Sequence, residues 1–124
     1  MGKHMKVKII SLHNRGDFDK EYVLFRVLED CDIGRYVLAD STYTSDGKVS
    51  NKLRHFYWFP DRAVKEGDLI ALWTKSGESV ITKNDSGTPV HRFFWELKTA
   101  IWNDDGDCAV LLEVNTWEFF STKN

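Results

Sequence analysis

Lys65-Glu66-Gly67-Asp68 is a tight-turn signal that leads straight into Leu69-Ile70-Ala71-Leu72-Trp73, an uninterrupted apolar run. A strand that is apolar at every position has both faces covered, whereas a strand with one wet face alternates. The run therefore reads as a central strand of a layered structure. Upstream of it, Leu53 to Phe59 is apolar and aromatic and stops at Pro60, which has no N–H to give to a ladder. Downstream, the polar loop Thr74 to Pro89 carries Gly77 and Gly87, and Val90 to Leu97 holds Phe93-Phe94-Trp95. Toward the N-terminus, Lys6-Val7-Lys8-Ile9 alternates charged and apolar residues, the period of a half-buried strand. Glu21 to Leu28 is aromatic and β-branched, and Arg35 to Asp40 follows Gly34. Cys108 to Val114 and Thr116 to Phe120 read as a closing pair of strands. Asp61 to Glu66 alone hints at a helical turn. Short strands with turns at regular spacing predict an all-β sandwich or barrel.

With 124 residues the chain has the length of one domain. Hydrophobic residues make up 42% and charged residues 29%, which excludes a disordered chain. The longest apolar runs fall far short of the ~20 residues that a spanning helix needs. The 17 lysines and arginines are outnumbered by 19 aspartates and glutamates, for a net charge of -2. That balance argues against a dedicated nucleic-acid binder, which carries a basic excess. Met1 to Met5 resembles a remnant of an expression tag, so the sandwich is expected over residues 6–120 with a tail at 121–124. With no apolar signal segment in view, the expected location is cytoplasmic. Cys31 and Cys108 suffice for one bridge or two buried thiols.

The order of these pieces resembles the lamin tail domain, an immunoglobulin-like β-sandwich of two mainly antiparallel sheets. Gly16-Asp17 followed by Glu21-Tyr22-Val23 is similar to that family's opening loop and strand. Tyr36-Val37-Leu38-Ala39-Asp40 resembles its next strand, with Tyr36 where tryptophan is usual. Phe59-Pro60, Val64 and Gly67 to Trp73 resemble its Phe-Pro and Gly-x-x-hydrophobic stretch, and Phe94-Trp95 its tryptophan-bearing strand. Trp102-Asn103-Asp104-Asp105-Gly106-Asp107 looks like its Asn-x-x-Gly-Asp turn. The sequence departs from the pattern at Arg35, where a glycine is usual, and at Phe25-Arg26-Val27, where Leu-x-Asn is usual. The matched residues are scaffold parts. The resemblance implies a binding or tethering module, since members of the family bind proteins and DNA or are appended to nucleases and surface proteins, and it carries no catalytic residue across.

Chemical motifs are sparse. Asp104, Asp105 and Asp107 offer oxygens of the kind Ca²⁺ takes, but without the ligand spacing or closing glutamate of an EF-hand. A hairpin turn explains them as well, and no metal or cofactor is expected. Asp17, Asp19 and Glu21 alternate along one face of an extended segment and read as solvated carboxylates. A hydrolase built from the Asp17 and Asp104 loops requires those loops to meet. Arg15-Gly16-Asp17 spells the tripeptide read by adhesion receptors. His4, His13, His55 and His91 lack zinc spacing, and neither a nucleophile elbow nor a phosphate loop is found.

Aromatic residues amount to 14% of the chain. Neighbours on a strand point to opposite faces, so Phe56-Tyr57-Trp58-Phe59 and Phe93-Phe94-Trp95 cannot all enter one core. The expected function is a non-catalytic protein-binding module, with an unidentified protein as partner and a patch formed by Tyr57, Trp58, Phe93 and Trp95 beside Arg54 and Arg92. The alternative is nucleic-acid binding through Lys48, Lys52, Arg54, Arg62 and Lys65 around the long polar loop that begins at Ser41.

Overall fold

The computed structural model describes residues 4–103 and 106–123. Its strands are β1 (Val7–His13), β2 (Tyr22–Val27), β3 (Cys31–Asp32), β4 (Tyr36–Thr42), β5 (Phe56–Trp58), β6 (Ala63–Val64), β7 (Leu69–Trp73), β8 (Val80–Lys83), β9 (Pro89–Phe94) and β10 (Asp107–Glu113). A 3-10 turn, Ile33–Arg35, separates β3 from β4. The five-stranded sheet runs β1-β2-β7-β9-β8, the three-stranded sheet β10-β4-β5, and β3 pairs with β6. The expected all-β sandwich is what forms, and β7 lies in the middle of the larger sheet.

The β7–β9 pair is parallel, while the other strand pairs among the described residues are antiparallel. After β7 the chain runs back along the sheet edge as β8. A turn in which Asn84 Oδ1 accepts from the Ser86 and Thr88 amides then inserts β9 between the two. The polar stretch from Thr74 to Pro89, read as a loop, therefore contains an edge strand.

Between the sheets, Val23, Phe25, Ile70, Leu72 and Phe93 meet Tyr36 and Leu38, and Trp95, Ile101 and Trp102 from the segment after β9 complete the core. Phe59 sits edge-on to both Phe25 and Phe93, with ring centroids 5.7 and 5.2 Å apart. These contacts use the T-shaped geometry that aromatic quadrupoles favour. Gly67 supplies a φ of +91° at the turn into β7, a conformation that L side chains rarely adopt.

Two expected elements do not form. Residues 116–120 make no ladder: the chain leaves β10 through a hydrogen bond from Val114 N to the Arg35 carbonyl and continues as an irregular tail. Residues 61–66 give β6 rather than a helical turn, because Ala63 and Val64 pair with Asp32 and Cys31. Cys31 and Cys108 are both free thiols, and burial pushes both pKa values up.

Glu21 overturns the reading of a solvated carboxylate row. Residues 14–21 are not extended: Asp17 N bonds to Asn14 O, while Lys20 N and Glu21 N bond to Asp17 O, so the chain coils through two turns. Asp17 and Asp19 stay exposed, and Glu21 is driven fully inside. Its Oε1 accepts from Gly16 N at 3.0 Å, and its Oε2 accepts from Thr74 Oγ1 at 2.5 Å and Ile101 N at 2.9 Å. The carboxylate thus joins the start of β2, the end of β7 and the segment that follows β9. Glu21→Ala would leave these three donors without their acceptor, and an orphaned buried group costs about 1–3 kcal/mol. Urea unfolding should therefore show a loss of about 3 kcal/mol or more, with Glu21→Gln between the alanine variant and wild type.

Candidate interaction face

On β5, Tyr57 points inward while Phe56 and Trp58 point out, as the alternation requires. Trp58 lies opposite Val37, which lies opposite Leu112, while Phe56 lies opposite Ala39 and then Val110. The outer face of the three-stranded sheet is therefore apolar in two adjacent rows. Phe56 is 58% exposed, Trp58 47% and Leu112 39%. From beneath, Trp95 Nε1 donates to the Phe56 carbonyl at 3.0 Å and tethers the edge strand to the core.

The tail extends this face. Trp117 packs edge-on against Trp58, with ring centroids 5.0 Å apart and planes at 89°. Trp58 is held by its Nε1 donating to the Gly34 carbonyl at 2.8 Å, and Arg35 Nη1 braces the tail through Asn115 O. Beside the two indoles opens a cleft of about 380 Å³, also lined by Asp32, Arg35, Asp61 and Asn115. Phe119 and Phe120 beyond it are exposed.

The opposite outer face, on the five-stranded sheet, carries a row of His13, Tyr22, Trp73 and Phe94 at matched register. Successive centroids lie 4.6, 4.5 and 6.4 Å apart, with planes within 6°, 32° and 21° of parallel. Rings at strand spacing and near-parallel stand on edge against one another and cover each other's faces. The row is a cross-strand stabilising stack, not a flat platform for a ligand.

The anticipated patch is divided by the alternation. Trp58 lies on the outer face of the smaller sheet and Arg92 on that of the larger, where its Nε donates to Thr82 Oγ1. Phe93 is fully buried and Trp95 is 9% exposed, so both belong to the core instead of a surface. Tyr57 is half-buried beside Phe59, Phe93 and Trp95. Arg54 reaches Asp107 at 2.9 Å and Asp40 at 3.7 Å. Leu112 and Trp117 join Trp58 although neither was among the predicted residues. Leu112 could have been found from the alternation in β10, while Trp117 depends on where an irregular tail lies.

The basic residues of the nucleic-acid reading are not brought into one free surface. Arg62 lies over the Phe93 ring, 4.7 Å from its centroid, and Arg54 is engaged by two carboxylates. Lys48, Lys52 and Lys65 are exposed. The loop carrying the first two is ordered by a Tyr43–Val49 bridge and by Ser41 Oγ donating to Ser50 O.

The loops of the hydrolase reading do meet: Arg15 Nε donates to Trp102 O at 3.2 Å, and Gly16 lies against Asn103. The first of these contacts also holds Arg15 of the Arg-Gly-Asp tripeptide to its own chain. Asp104 and Asp105 lie outside the described residues. Nearby, His55 Nδ1 lies 3.1 Å from Asp40 Oδ1, which also accepts from His55 N at 2.7 Å. This pair fastens the loop to β4. The adjacent side chains are otherwise engaged, with Ser41 Oγ on Ser50 O and Cys108 Sγ on Thr42 O. Among the described residues no group of three or more histidines, cysteines or carboxylates is placed to hold a metal ion. Nor is any helix among them long and apolar enough to cross a membrane.

No family model and no curated protein matches the chain.

The inward placement of tyrosines has a measurable consequence. Burial pushes the Tyr57 phenol above its ordinary value of 10.0, Glu96 adds to the shift and Arg62 opposes it. Burial likewise raises Tyr36, assisted by Glu113 and opposed by a hydrogen bond from Lys6 N. Because both pKa values are higher folded than unfolded, their contribution to stability is complete below the ordinary value and is lost as pH rises through the folded one. Unfolding free energy should fall above about pH 10 while phenolate absorbance shows a late-titrating fraction. Tyr57→Phe should remove part of that fraction.

Proposed function

We propose that this chain is a lamin-tail-like β-sandwich acting as a non-catalytic protein-interaction module, with the outer face of its three-stranded sheet as the binding surface. The observation that carries this reading is the outward placement of Phe56 and Trp58, exposed two residues apart on β5, with Leu112 exposed across Val37 from Trp58. Contiguous exposed apolar surface on a small domain marks interaction sites, and aromatic anchors dominate interface energetics. The order of the sequence motifs supports the scaffold assignment. Nucleic-acid binding is the weaker alternative, because Arg54 and Arg62 are committed within the fold.

The test is affinity capture from source-cell lysate with and without nuclease treatment, comparing wild type with a Phe56→Ser/Leu112→Ser variant. Both residues are outward and half-exposed, so the variant should melt within a few degrees of wild type. A protein enriched by wild type and lost from the variant supports the proposal. Equal enrichment by both, or enrichment that vanishes on nuclease treatment, contradicts it.

A further inference from the structure

The cleft lined by Trp58 and Trp117 has a chemistry of its own, separate from the apolar rows beside it. Two indoles meet at a right angle, which makes a corner of π surface. Trp58 is fixed by its bond to the Gly34 carbonyl, and the same glycine gives room to Asp61. A Cβ on Gly34 would run into the Asp61 side chain and backbone. Glycine at this position thus brings a carboxylate and an oriented indole to one opening.

Asp61 has no hydrogen bond or ion pair with any described residue. Asp32, its acidic neighbour in the lining, is already engaged: its Oδ1 accepts from Gly34 N and Arg62 N. Among the described residues of the lining Arg35 is the single cation, and its Nη1 is directed to Asn115 O. The described lining thus sets two carboxylates, Asp32 and Asp61, against the one guanidinium of Arg35, a net negative charge beside aromatic surface.

Indole faces attract large, weakly hydrated cations, and quaternary ammonium groups are the ligands such aromatic corners take. A compact metal ion would need several oxygen ligands, and the described residues do not supply such a cluster. A cleft of about 380 Å³ is large enough for a trimethylammonium group and the start of the chain that bears it. We propose that the Trp58–Trp117 cleft, with Asp61 at its rim, binds an alkylated ammonium group. That chemistry is shared by a choline-type headgroup and a methylated lysine side chain.

The site shares Trp58 with the proposed interaction face, but a small cation needs no protein partner to occupy it. Failure of cation binding would leave the capture result standing, and loss of capture in the Phe56→Ser/Leu112→Ser variant would leave the cation site standing.

The experiment is a tryptophan-fluorescence titration of the purified chain with choline and with 3,3-dimethyl-1-butanol, its uncharged isostere. A parallel arm compares a trimethyl-lysine peptide with the same peptide bearing unmodified lysine. Choline is expected to give a saturable change, with the neutral isostere about tenfold weaker. Trp117→Ala should weaken choline binding about tenfold, and Asp61→Asn should weaken it severalfold. Both residues are exposed, so both variants should keep the wild-type melting temperature, and isothermal titration calorimetry can replace the lost tryptophan signal. Tighter binding of the trimethyl-lysine peptide than of choline would assign a protein source, and the reverse a free headgroup. Equal response to the neutral isostere, undiminished binding in both variants, or no saturation up to about 50 mM choline would overturn the proposal.

Discussion

A carboxylate buried among hydrogen-bond donors is the constraint on which one end of this sandwich depends. Glu21 stands where β2 begins, faces the end of β7 through Thr74, and reaches the segment after β9 through the Ile101 amide. Held there, Ile101 and Trp102 close the core, and Arg15 reaches the Trp102 carbonyl. A second acid acts toward the other end of the same strands. Asp68 Oδ2 accepts from Lys65 N at the turn into β7 and lies 2.8 Å from Nε2 of the buried His91 on β9. A buried carboxylate thus ties β2 to the end of β7 at one end of the sheet, and another ties the start of β7 to β9 at the other.

That arrangement decides what is left for the surface. With Leu72 and Phe93 turned into the core, alternation sends Trp73 and Phe94 to one outer face, and with Tyr57 turned in it sends Phe56 and Trp58 to the other. On the larger sheet the near-parallel rings cover one another's faces. On the smaller sheet, which has only β10, β4 and β5, the outward rings have fewer neighbours and stay exposed. The proposed interaction face follows from that asymmetry between a five-stranded and a three-stranded layer.

Much of the scaffold was legible in the sequence. The apolar run at Leu69 to Trp73 is the central strand, and the fold class follows from strand spacing. The principle that adjacent aromatics face opposite ways also holds, yet applying it needs to know which member of each pair is inward. Phe93 and Trp95 were expected outside because arginines lie beside the aromatic runs, whereas Phe93 pairs with the inward Leu72 of β7 and Trp95, just past β9, is buried with it. Glu21 was misread because its neighbours coil through turns, and a spacing argument for an extended segment fails there. The parallel pairing of β7 with β9 and the path of residues 116–120 leave no local signature: one is a choice of topology, the other a contact between Trp58 and Trp117 far apart in the chain. The cleft at Asp61 was illegible for the same reason, as it joins the 3-10 turn, the β5 edge and the tail.

Hydroxyl-radical footprinting of the free protein, read residue by residue by mass spectrometry, tests the partition of aromatics most directly. Phe56, Trp58 and Trp117 should be oxidised readily, while Phe93, Trp95 and Trp102 remain protected until the chain unfolds. Protection of Phe56 and Trp58 together with ready oxidation of Trp95 would contradict the account, because the exposed face would then lie elsewhere on the molecule.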